Sequence, residues 1–254
     1  MPIYGRFQVN GAPHHGEVVD DTVHLVDDLF GACARTGETI ALEGAVILAP
    51  VAPSKLFAVG LNYADHAKES GKDIPTVPLM WFKAPSSVIA HGETVEIAYP
   101  EHRTDYEAEL TVVIGKRCKG VKEEDAASYI FGYTNGQDIS DRTIQNSESQ
   151  WTRAKSADTY SPLGPFIYTG LDPAHLPIQC LVNGEIKQDS NTEQLIFSPA
   201  KLLAFLSESI TFEAGDCIMT GTPFGIGPLK EGDVIETRIA DMVPLVNPVR
   251  NAVR

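Results

Sequence analysis

The chain has 254 residues, of which 43% are hydrophobic and 21% are charged, and this composition is typical of a globular protein rather than a disordered or fibrous one. Its 20 basic and 34 acidic residues give a formal net charge of −14, which repels the phosphates of nucleic acids and anionic lipids, so we expect no nucleic-acid partner. The longest apolar stretch, residues 45–53, is far shorter than the roughly 20 residues of a membrane-spanning helix, so we expect no membrane partner. The N-terminus lacks a secretory signal, which predicts a cytoplasmic location.

Turn signals divide the chain into a short N-terminal unit and a longer remainder. Asn10-Gly11 and Asp20-Asp21 separate alternating apolar residues, which predicts short strands. A connector with two prolines, residues 50–53, is typical of extended backbone, and a buried strand follows it. We therefore predict a small β-rich domain over residues 1–53 and a larger domain over residues 54–254.

Strand signals dominate the larger domain. Runs rich in β-branched residues predict strands at 110–114, 166–169, 178–182 and 217–220. Helices are predicted at 123–130 and at 198–207, the second with a serine cap and a proline in its first turn. Strands do not alternate with helices, and no G-x-G-x-x-G follows a strand, so a doubly wound nucleotide-binding sheet is not expected. The prediction is an α+β fold that is β-rich, with mixed sheets.

A pair of glutamates leads into an apolar strand. Glu107 and Glu109 are two residues apart, so on one strand they point to the same face, and residues 110–114 are apolar enough to be buried. Carboxylates so close together require a raised pKa or a cation. A solvated strand face, or pairing to Arg or Lys, explains the spacing equally well, since E-x-E is a common string.

A second polar cluster follows about 30 residues further along the chain. On a helical turn, Asp138, Arg142 and Gln145 would lie at i, i+4 and i+7 and share one face. That face would suit a ligand. A local ion pair on a surface helix is the alternative explanation.

A third motif surrounds His66. Asn62 resembles a helix cap and Gly71 a helix end, and between them His66 and Glu69 are i, i+3 neighbours. A carboxylate beside an imidazole raises its basicity, as a general base for water requires. An exposed helix with an incidental pair is the alternative. The Gly- and Pro-rich residues 71–78 would let this helix move as a lid.

Two further segments contain candidate residues. Lys155 lies close to a tryptophan and a serine, and the Gly-rich loop from Thr220 to Gly227 leaves a predicted strand. Such a loop can offer backbone N–H groups to a carboxylate. It lacks the Gly-Lys-Ser/Thr ending of a phosphate-binding loop.

In their order along the chain, these motifs resemble those of the fumarylacetoacetate hydrolase superfamily. The likeness is to its short bacterial members, which include acylpyruvate hydrolases, oxaloacetate decarboxylases and 2-hydroxyhepta-2,4-diene-1,7-dioate isomerases. It extends over roughly residues 54–240, and the first fifty residues are a weaker match. The matching strings are Gly60–His66, Phe82–Ser87, Asp105–Leu110, Gly132–Thr134, Asp138 with Arg142 and Gln145, Arg153–Ser156, Pro162–Pro165, Asn183-Gly184 and Thr220–Pro223.

The resemblance implies the catalytic fold of that family and a role for each matching position. The metal ligands of the family fall on Glu107, Glu109 and Asp138, and an all-oxygen site suits Mg²⁺ or Mn²⁺, with Ca²⁺ as a further candidate. The catalytic positions fall on His66, Glu69 and Lys155. The substrate-binding positions fall on Arg142, Gln145 and Thr222. Family members often have alanine where this chain has Asp141, so we expect Asp141 to alter how Arg142 is held.

The predicted function is that of a divalent-metal-dependent hydrolase. It would cleave a carbon–carbon bond in small β-diketo acids of the acylpyruvate type, through a metal-stabilised enolate. Decarboxylation of oxaloacetate and isomerisation of a hydroxy-diene-dioate pass through the same enolate and remain close alternatives. A metal-dependent phosphohydrolase and a metal-stabilised binding module are less favoured. The expected partners are a small 2-oxo or β-diketo acid and a second copy of the chain, in a homodimer.

Overall fold

The computed structural model of the protein describes residues 1–69, 71 and 73–253, without the side chains of Ala67 and Glu69. The strands in this part of the chain are β1 (Ile3–Val9), β2 (Ala12–Val19), β3 (Thr22–Val26), β4 (Arg35–Ala41), β5 (Ile47–Leu48), β6 (Leu56–Gly60), β7 (Leu79–Lys83), β8 (Val88–Ile89), β9 (Val95–Ile97), β10 (Thr104–Tyr106), β11 (Ala108–Ile114), β12 (Ile130–Gln137), β13 (Ser140–Asp141), β14 (Ser161–Tyr168), β15 (Pro177–Val182), β16 (Glu185–Asn191), β17 (Cys217–Met219), β18 (Gly227–Pro228), β19 (Val234–Ile239) and β20 (Leu245–Asn251). The α-helices are α1 (Ala64–Glu69), α2 (Arg142–Ser147), α3 (Thr152–Lys155) and α4 (Pro199–Ser207). Short 3₁₀ helices lie at Pro85–Ser87, Glu123–Tyr129, Pro173–His175 and Thr192–Gln194.

These strands form three sheets, of which the two larger ones contain both parallel and antiparallel pairs. The largest has the order β4-β3-β2-β1-β14-β12-β11-β17-β6-β7, with β5 paired to β1 and β8 paired to β14. Its pairs are antiparallel except β17 with β6 and β14 with β8, which are parallel. A second sheet has the order β16-β15-β19-β20-β9, and a third has the order β13-β10-β18. The prediction of a β-rich α+β fold with mixed sheets is confirmed.

The N-terminal strands continue the large sheet. The turns at Asn10 and Asp20 have the positive φ that the sequence signals predict, and they join β1, β2 and β3 into antiparallel hairpins. β1 then pairs with β14 of the larger unit. The division into domains at residues 53 and 54 stays a prediction.

The centre of the large sheet is covered on both faces. Every residue of β11 and of β14 is buried, as expected for apolar strands enclosed between two layers. Helices contribute little to this core, apart from α4, where Ser198 caps the helix by accepting a hydrogen bond from Lys201 N at 3.1 Å. No helix in the described ranges is long and apolar enough to cross a membrane.

Two predicted elements differ in detail. The helix predicted at 123–130 is a 3₁₀ helix that ends at Tyr129, because it buries only Ala126 and its next residue starts β12. The strand predicted to carry both glutamates is interrupted at Glu107. β10 belongs to the small sheet and β11 to the large one, so Glu107 lies at the junction between two sheets.

Candidate active site

Two neighbouring strands of the large sheet bring three carboxylates together. Glu109 lies on β11, Glu107 immediately precedes this strand, and Asp138 immediately follows β12, its antiparallel partner. Asp138 N donates a hydrogen bond to the Glu107 carbonyl at 2.9 Å, which holds the two chain segments in register. One carboxylate oxygen from each residue lies within 4.8 Å of the others, and all three side chains are buried. We call this cluster the carboxylate triad.

Cationic side chains neutralise two members of the triad. Lys155, the last residue of α3, places Nζ 2.6 Å from Glu107 Oε2 and 2.8 Å from Asp138 Oδ2. Lys83, at the end of β7, pairs with Asp138 Oδ1 and donates to the Tyr160 carbonyl at 3.0 Å. Both lysines are almost completely buried. Ammonium groups are found so deep in a protein when carboxylates compensate their charge.

Glu109 differs from its neighbours, because it has no ion pair with any residue that the structure describes. Its carboxylate accepts a hydrogen bond from Gly221 N at 2.6 Å. Burial raises the pKa of Glu109 well above its usual range, and the charges of Asp138 and Glu107 add to this effect. For Glu107, burial acts in the same direction, but the neighbouring cations Arg142 and Lys155 outweigh it and hold the pKa below its usual range.

The triad fits a hard divalent cation. Its three ligands offer carboxylate oxygen, the donor that Mg²⁺, Mn²⁺ and Ca²⁺ prefer. A buried carboxylate without a counter-charge is costly, and a cation beside Glu109 would supply the missing positive charge. The prediction of one site for Glu107, Glu109 and Asp138 agrees with this geometry, while the identity of the ion stays a prediction.

Arg142 connects the triad to a second buried acid. This arginine is the first residue of α2, and it pairs with Glu107 through Nη2. Its Nε donates to Asp105 Oδ2 at 2.9 Å, and its Nη1 donates to Gln145 Oε1 at 2.7 Å. The guanidinium is therefore held in one orientation by three different acceptors.

The helical interpretation of Asp138, Arg142 and Gln145 is wrong for Asp138. The chain is extended at β13, which pairs with β10, and α2 begins only at Arg142. Only Arg142 and Gln145 therefore share the helix. Asp138 still joins the site, because it follows a strand that lies beside β11.

Asp141 makes no direct bond to the Arg142 side chain, and its expected effect on how this arginine is held stays a prediction. It caps α2 by accepting a hydrogen bond from Ile144 N at 2.9 Å. Its other oxygen lies 2.7 Å from His102 Nδ1. Any influence of Asp141 on Arg142 acts through the position of the helix.

A cavity of about 410 Å³ opens onto the triad and brings most of the predicted residues together. A volume of this size is typical of small-molecule sites. The predicted residues on its wall are His66, Glu107, Glu109, Arg142, Gln145, Lys155 and Thr222. Asp138 is buried behind this surface, within reach of Lys155. The apolar part of the wall consists of Val59, Leu61, Leu79, Trp81, Trp151 and Ile226.

His66 reaches this cavity from α1, a helix of six residues. The side chain of Glu69, its predicted partner, lies outside the described residues, as does Lys72 of the Gly- and Pro-rich segment predicted to let this helix move as a lid. Asn62 does not cap the helix as predicted. Its amide instead binds the Thr220 carbonyl at 2.7 Å and both backbone groups of Phe197, because it is buried between their two loops.

The Gly-rich loop supplies a backbone N–H to a carboxylate of the protein. The sequence predicts that this loop can hold a carboxylate, and Gly221 N binds that of Glu109. Thr222 lines the cavity, but its hydroxyl donates to the Ala108 carbonyl at 2.9 Å and accepts from Gln188 Nε2 at 2.8 Å. Its direct role in substrate binding stays a prediction.

Sequence reasoning assigned no role to Lys83 or Asp105. Lys83 is two residues after Trp81 on a strand, so both point to the same face, and a lysine on the same face as a buried tryptophan is a signal that was available. Asp105 carries no comparable signal, because its position between two arginines depends on the fold.

The fold and the cavity together define a class of protein: a β-rich enzyme whose buried carboxylate triad is enclosed by lysine and arginine side chains. Residues 55–250 match the sequence profile of the fumarylacetoacetate (FAA) hydrolase C-terminal family, and residues 4–50 match that of the Rv2993c-like N-terminal family. The chain belongs to the fumarylacetoacetate hydrolase family, which confirms the resemblance seen in its motifs.

Relatives of this chain include an uncharacterized protein and enzymes of known type. The uncharacterized protein, from Archaeoglobus fulgidus, is 45% identical over 92% of this chain and 91% of its own length. The mitochondrial oxaloacetate tautomerase of Xenopus laevis is 39% identical over 80% of this chain and 68% of its own length. The protein in the crystal structure of 5-carboxymethyl-2-hydroxymuconate delta-isomerase from Mycobacterium smegmatis is 34% identical to this chain in sequence. The two structures align with a TM-score of 0.93 over 99% of this chain and 100% of that one.

Proposed function

We propose that this enzyme interconverts the enol and keto forms of a small 2-oxo dicarboxylate such as oxaloacetate, with a divalent cation at the triad. The observation that carries the proposal is the position of Lys155, whose Nζ lies at the triad and on the wall of the cavity. An ammonium group there can deliver a proton to a substrate bound beside the carboxylates. The similarity to an oxaloacetate tautomerase and to an isomerase of a hydroxymuconate supports the same reaction type.

The cation would be held by Glu107, Glu109 and Asp138. When bound, it would supply Lewis acidity that polarises the 2-oxo group and lowers the pKa of the neighbouring C–H bond. Arg142 lies on the cavity wall, where its charge would attract the carboxylate next to the 2-oxo group.

Conversion of the enol into the keto form needs one proton at carbon 3, and the hydroxyl proton leaves to solvent. Lys155 Nζ would donate the proton to carbon 3 and then regain one from water. Its ammonium lies 4.7 Å from the centre of the Trp81 ring, and Trp81 packs edge-on against Trp151. These two rings lie against the ammonium on one side and exclude bulk water from that side of Nζ.

A second candidate is the hydrolysis of a carbon–carbon bond in an acylpyruvate. The position of His66 favours it, because an imidazole on the cavity wall is placed to take a proton from an attacking water. The apolar wall with Leu79 and Ile226 would accept the acyl group. Decarboxylation of oxaloacetate would use the same bound acid and is measured in the same experiment.

The test is a panel of substrates with Mg²⁺ or Mn²⁺. It contains enol-oxaloacetate, followed by the loss of enol absorbance in the ultraviolet, together with acetylpyruvate, fumarylpyruvate and a hydroxy-diene-dioate. We expect faster loss of the enol, no pyruvate released from oxaloacetate, and loss of the activity in chelator. An unchanged enol decay with rapid cleavage of an acylpyruvate would replace the first candidate by the second. The predicted homodimer is tested separately by light scattering after gel filtration.

A further inference from the structure

Arg103 is an arginine on the cavity wall to which the proposed mechanism assigns no role. It directly precedes β10, and its side chain is 56% exposed. Its backbone is fixed, because its carbonyl accepts a hydrogen bond from Arg142 N at 2.8 Å. The side chain therefore projects from an anchored position at the start of a strand, next to the start of α2.

The guanidinium of Arg103 keeps unused donors. An arginine has five N–H groups. Nε donates to Asp105 Oδ1 at 2.7 Å and Nη2 donates to Asp105 Oδ2 at 3.0 Å, so two are used and three of the five have no acceptor among the residues described. Arg142 and Lys155 are the other Lys and Arg side chains on this wall. Lys155 is buried, only 14% of the Arg142 side chain is exposed, and both are bonded to carboxylates of the site. Arg103 is thus the cation here with capacity for a further anion.

Asp105 orients this group in advance. Its carboxylate is fully buried and accepts from Arg103 on one side and from Arg142 Nε on the other. Two guanidiniums share one carboxylate, so this group of three side chains has a net charge of +1. Because the paired edge of Arg103 is fixed, less side-chain entropy is lost when its free edge binds an anion.

We propose that Arg103 determines specificity by binding the second carboxylate of a dicarboxylate substrate. This inference rests on the proposed function, in which the first carboxylate and the 2-oxo group lie deeper, beside the triad and Arg142. A monocarboxylate leaves the donors of Arg103 in water, whereas a four-carbon dicarboxylate places its distal carboxylate toward the mouth of the cavity. Arg103 thereby favours a substrate with a carboxylate at both ends over a substrate with one carboxylate and one apolar end.

The test compares two pairs of acids that differ only in their distal group. Oxaloacetate and 2-oxobutanoate form the reactive pair, and malate and 2-hydroxybutanoate form the inert pair for calorimetry with the Mg²⁺-loaded protein. In the Arg103→Gln variant we expect malate to bind about tenfold more weakly, because charge-assisted hydrogen bonds are lost, while 2-hydroxybutanoate changes less than threefold. The KM for oxaloacetate should rise and kcat should change little.

Two further variants complete the test. Arg250→Gln is the matched control, because Arg250 is 58% exposed and also pairs with one carboxylate, that of Glu96 on the neighbouring strand. It should bind both acids like the wild type. Arg103→Lys keeps the charge and should recover part of the affinity for malate.

The possible outcomes separate the two claims. If the wild type binds and converts oxaloacetate but Arg103→Gln weakens both acids equally or neither, the role of Arg103 is wrong and the proposed function stands. If the wild type binds neither acid and converts no 2-oxo acid, both claims are overturned.

Discussion

The paired strands β11 and β12 support one wall of the cavity, and α1 contributes His66 to another. The two regions are stabilised by different means. Glu109 and Asp138 lie on or beside paired strands of the large sheet, with their side chains buried. His66 is half-buried on a helix of six residues, a length that is not stable without tertiary contacts. One such contact links Asp65 to Ser190. We infer that the strand wall is preorganised for charge and that the position of α1 adjusts more easily.

The largest expected effect comes from Lys155, at the centre of the preorganised wall. Lys155→Met should lower kcat for enol-oxaloacetate by about 10²–10⁴-fold, because a positioned proton donor is lost. Mn²⁺ binding should persist, since a positive charge beside Glu107 and Asp138 is removed. Stopped-flow absorbance and calorimetry measure the two effects. Lys187→Met, at an exposed lysine paired with Glu185, is the control. An unchanged kcat would exclude Lys155 as the donor.

Glu109→Gln should weaken Mn²⁺ binding by about 100-fold or more, since even the loss of a residue behind the ligands costs roughly 10–100-fold. The reason is that one of three carboxylates in a buried site is neutralised. Calorimetric titration gives the dissociation constants. Glu213→Gln, at an exposed glutamate paired with Arg117, should bind Mn²⁺ like the wild type. Equal affinities in all three proteins would contradict the metal site.

The same variant should have the opposite effect on the stability of metal-free protein. The pKa of Glu109 is raised in the folded state by burial and by Asp138 and Glu107, so the folded state binds this proton more tightly than the unfolded state. Stability from this group is therefore lost as the pH rises above the unfolded-state pKa of about 4.3. In urea unfolding with a chelator present, the free energy of unfolding of Glu109→Gln should increase relative to that of the wild type as the pH rises. A difference that does not depend on pH would contradict the raised pKa.

Substitution of His66 tests whether the residue that α1 contributes to the cavity is needed for hydrolysis but not for tautomerisation. His66→Gln should reduce acylpyruvate hydrolysis by about 10²–10⁴-fold if that activity is present, and tautomerisation by less than about tenfold. The reason is that hydrolysis needs a base for water, whereas tautomerisation uses Lys155. Parallel assays of both reactions on one protein preparation measure the ratio. Equal losses in both would show that His66 acts in a step that the two reactions share.

The smallest effect is expected at the cap of α2. Asp141→Ala should lower the free energy of unfolding by about 1 kcal/mol, because the hydrogen bond to Ile144 N is lost. Ser198→Ala removes the cap of α4 and should cost a similar amount. Only the first should raise the KM for oxaloacetate, because Arg142 begins the helix that Asp141 caps. Equal KM values in the two variants would show that the cap of α2 does not affect substrate binding.

Local patterns in the sequence predict many residues of this site but not the contacts between their side chains. Glu107 and Glu109 were predicted to converge because alternate residues of a strand share a face, and they do so although the strand is interrupted between them. The placement of Asp138 on a helix was wrong, because pairing of β13 with β10 overrides the local i, i+4 spacing. Lys83 meets Asp138 through a contact between residues 55 apart in the chain, and Asp105 meets Arg142 through one between residues 37 apart. Single-sequence periodicity does not encode such contacts.

The fold class was easier to predict than these contacts. Turn residues such as Asn10 and Asn183 mark hairpins directly, and apolar runs mark buried strands. The order of strands in a sheet depends on long-range pairing, as between β1 and β14, and has no local signal. The break between β10 and β11 at Glu107 likewise has no local signal in the sequence.

The most direct test of the central claim is anomalous diffraction from crystals of the protein grown with Mn²⁺. If the triad is the metal centre, we expect one strong anomalous peak in direct contact with carboxylate oxygens of Glu107, Glu109 and Asp138, and its loss in crystals of Glu109→Gln. Crystals soaked in Mn²⁺ that show no peak at the triad, or a peak of equal height in the variant, would contradict the assignment of the triad as the metal centre of the enzyme.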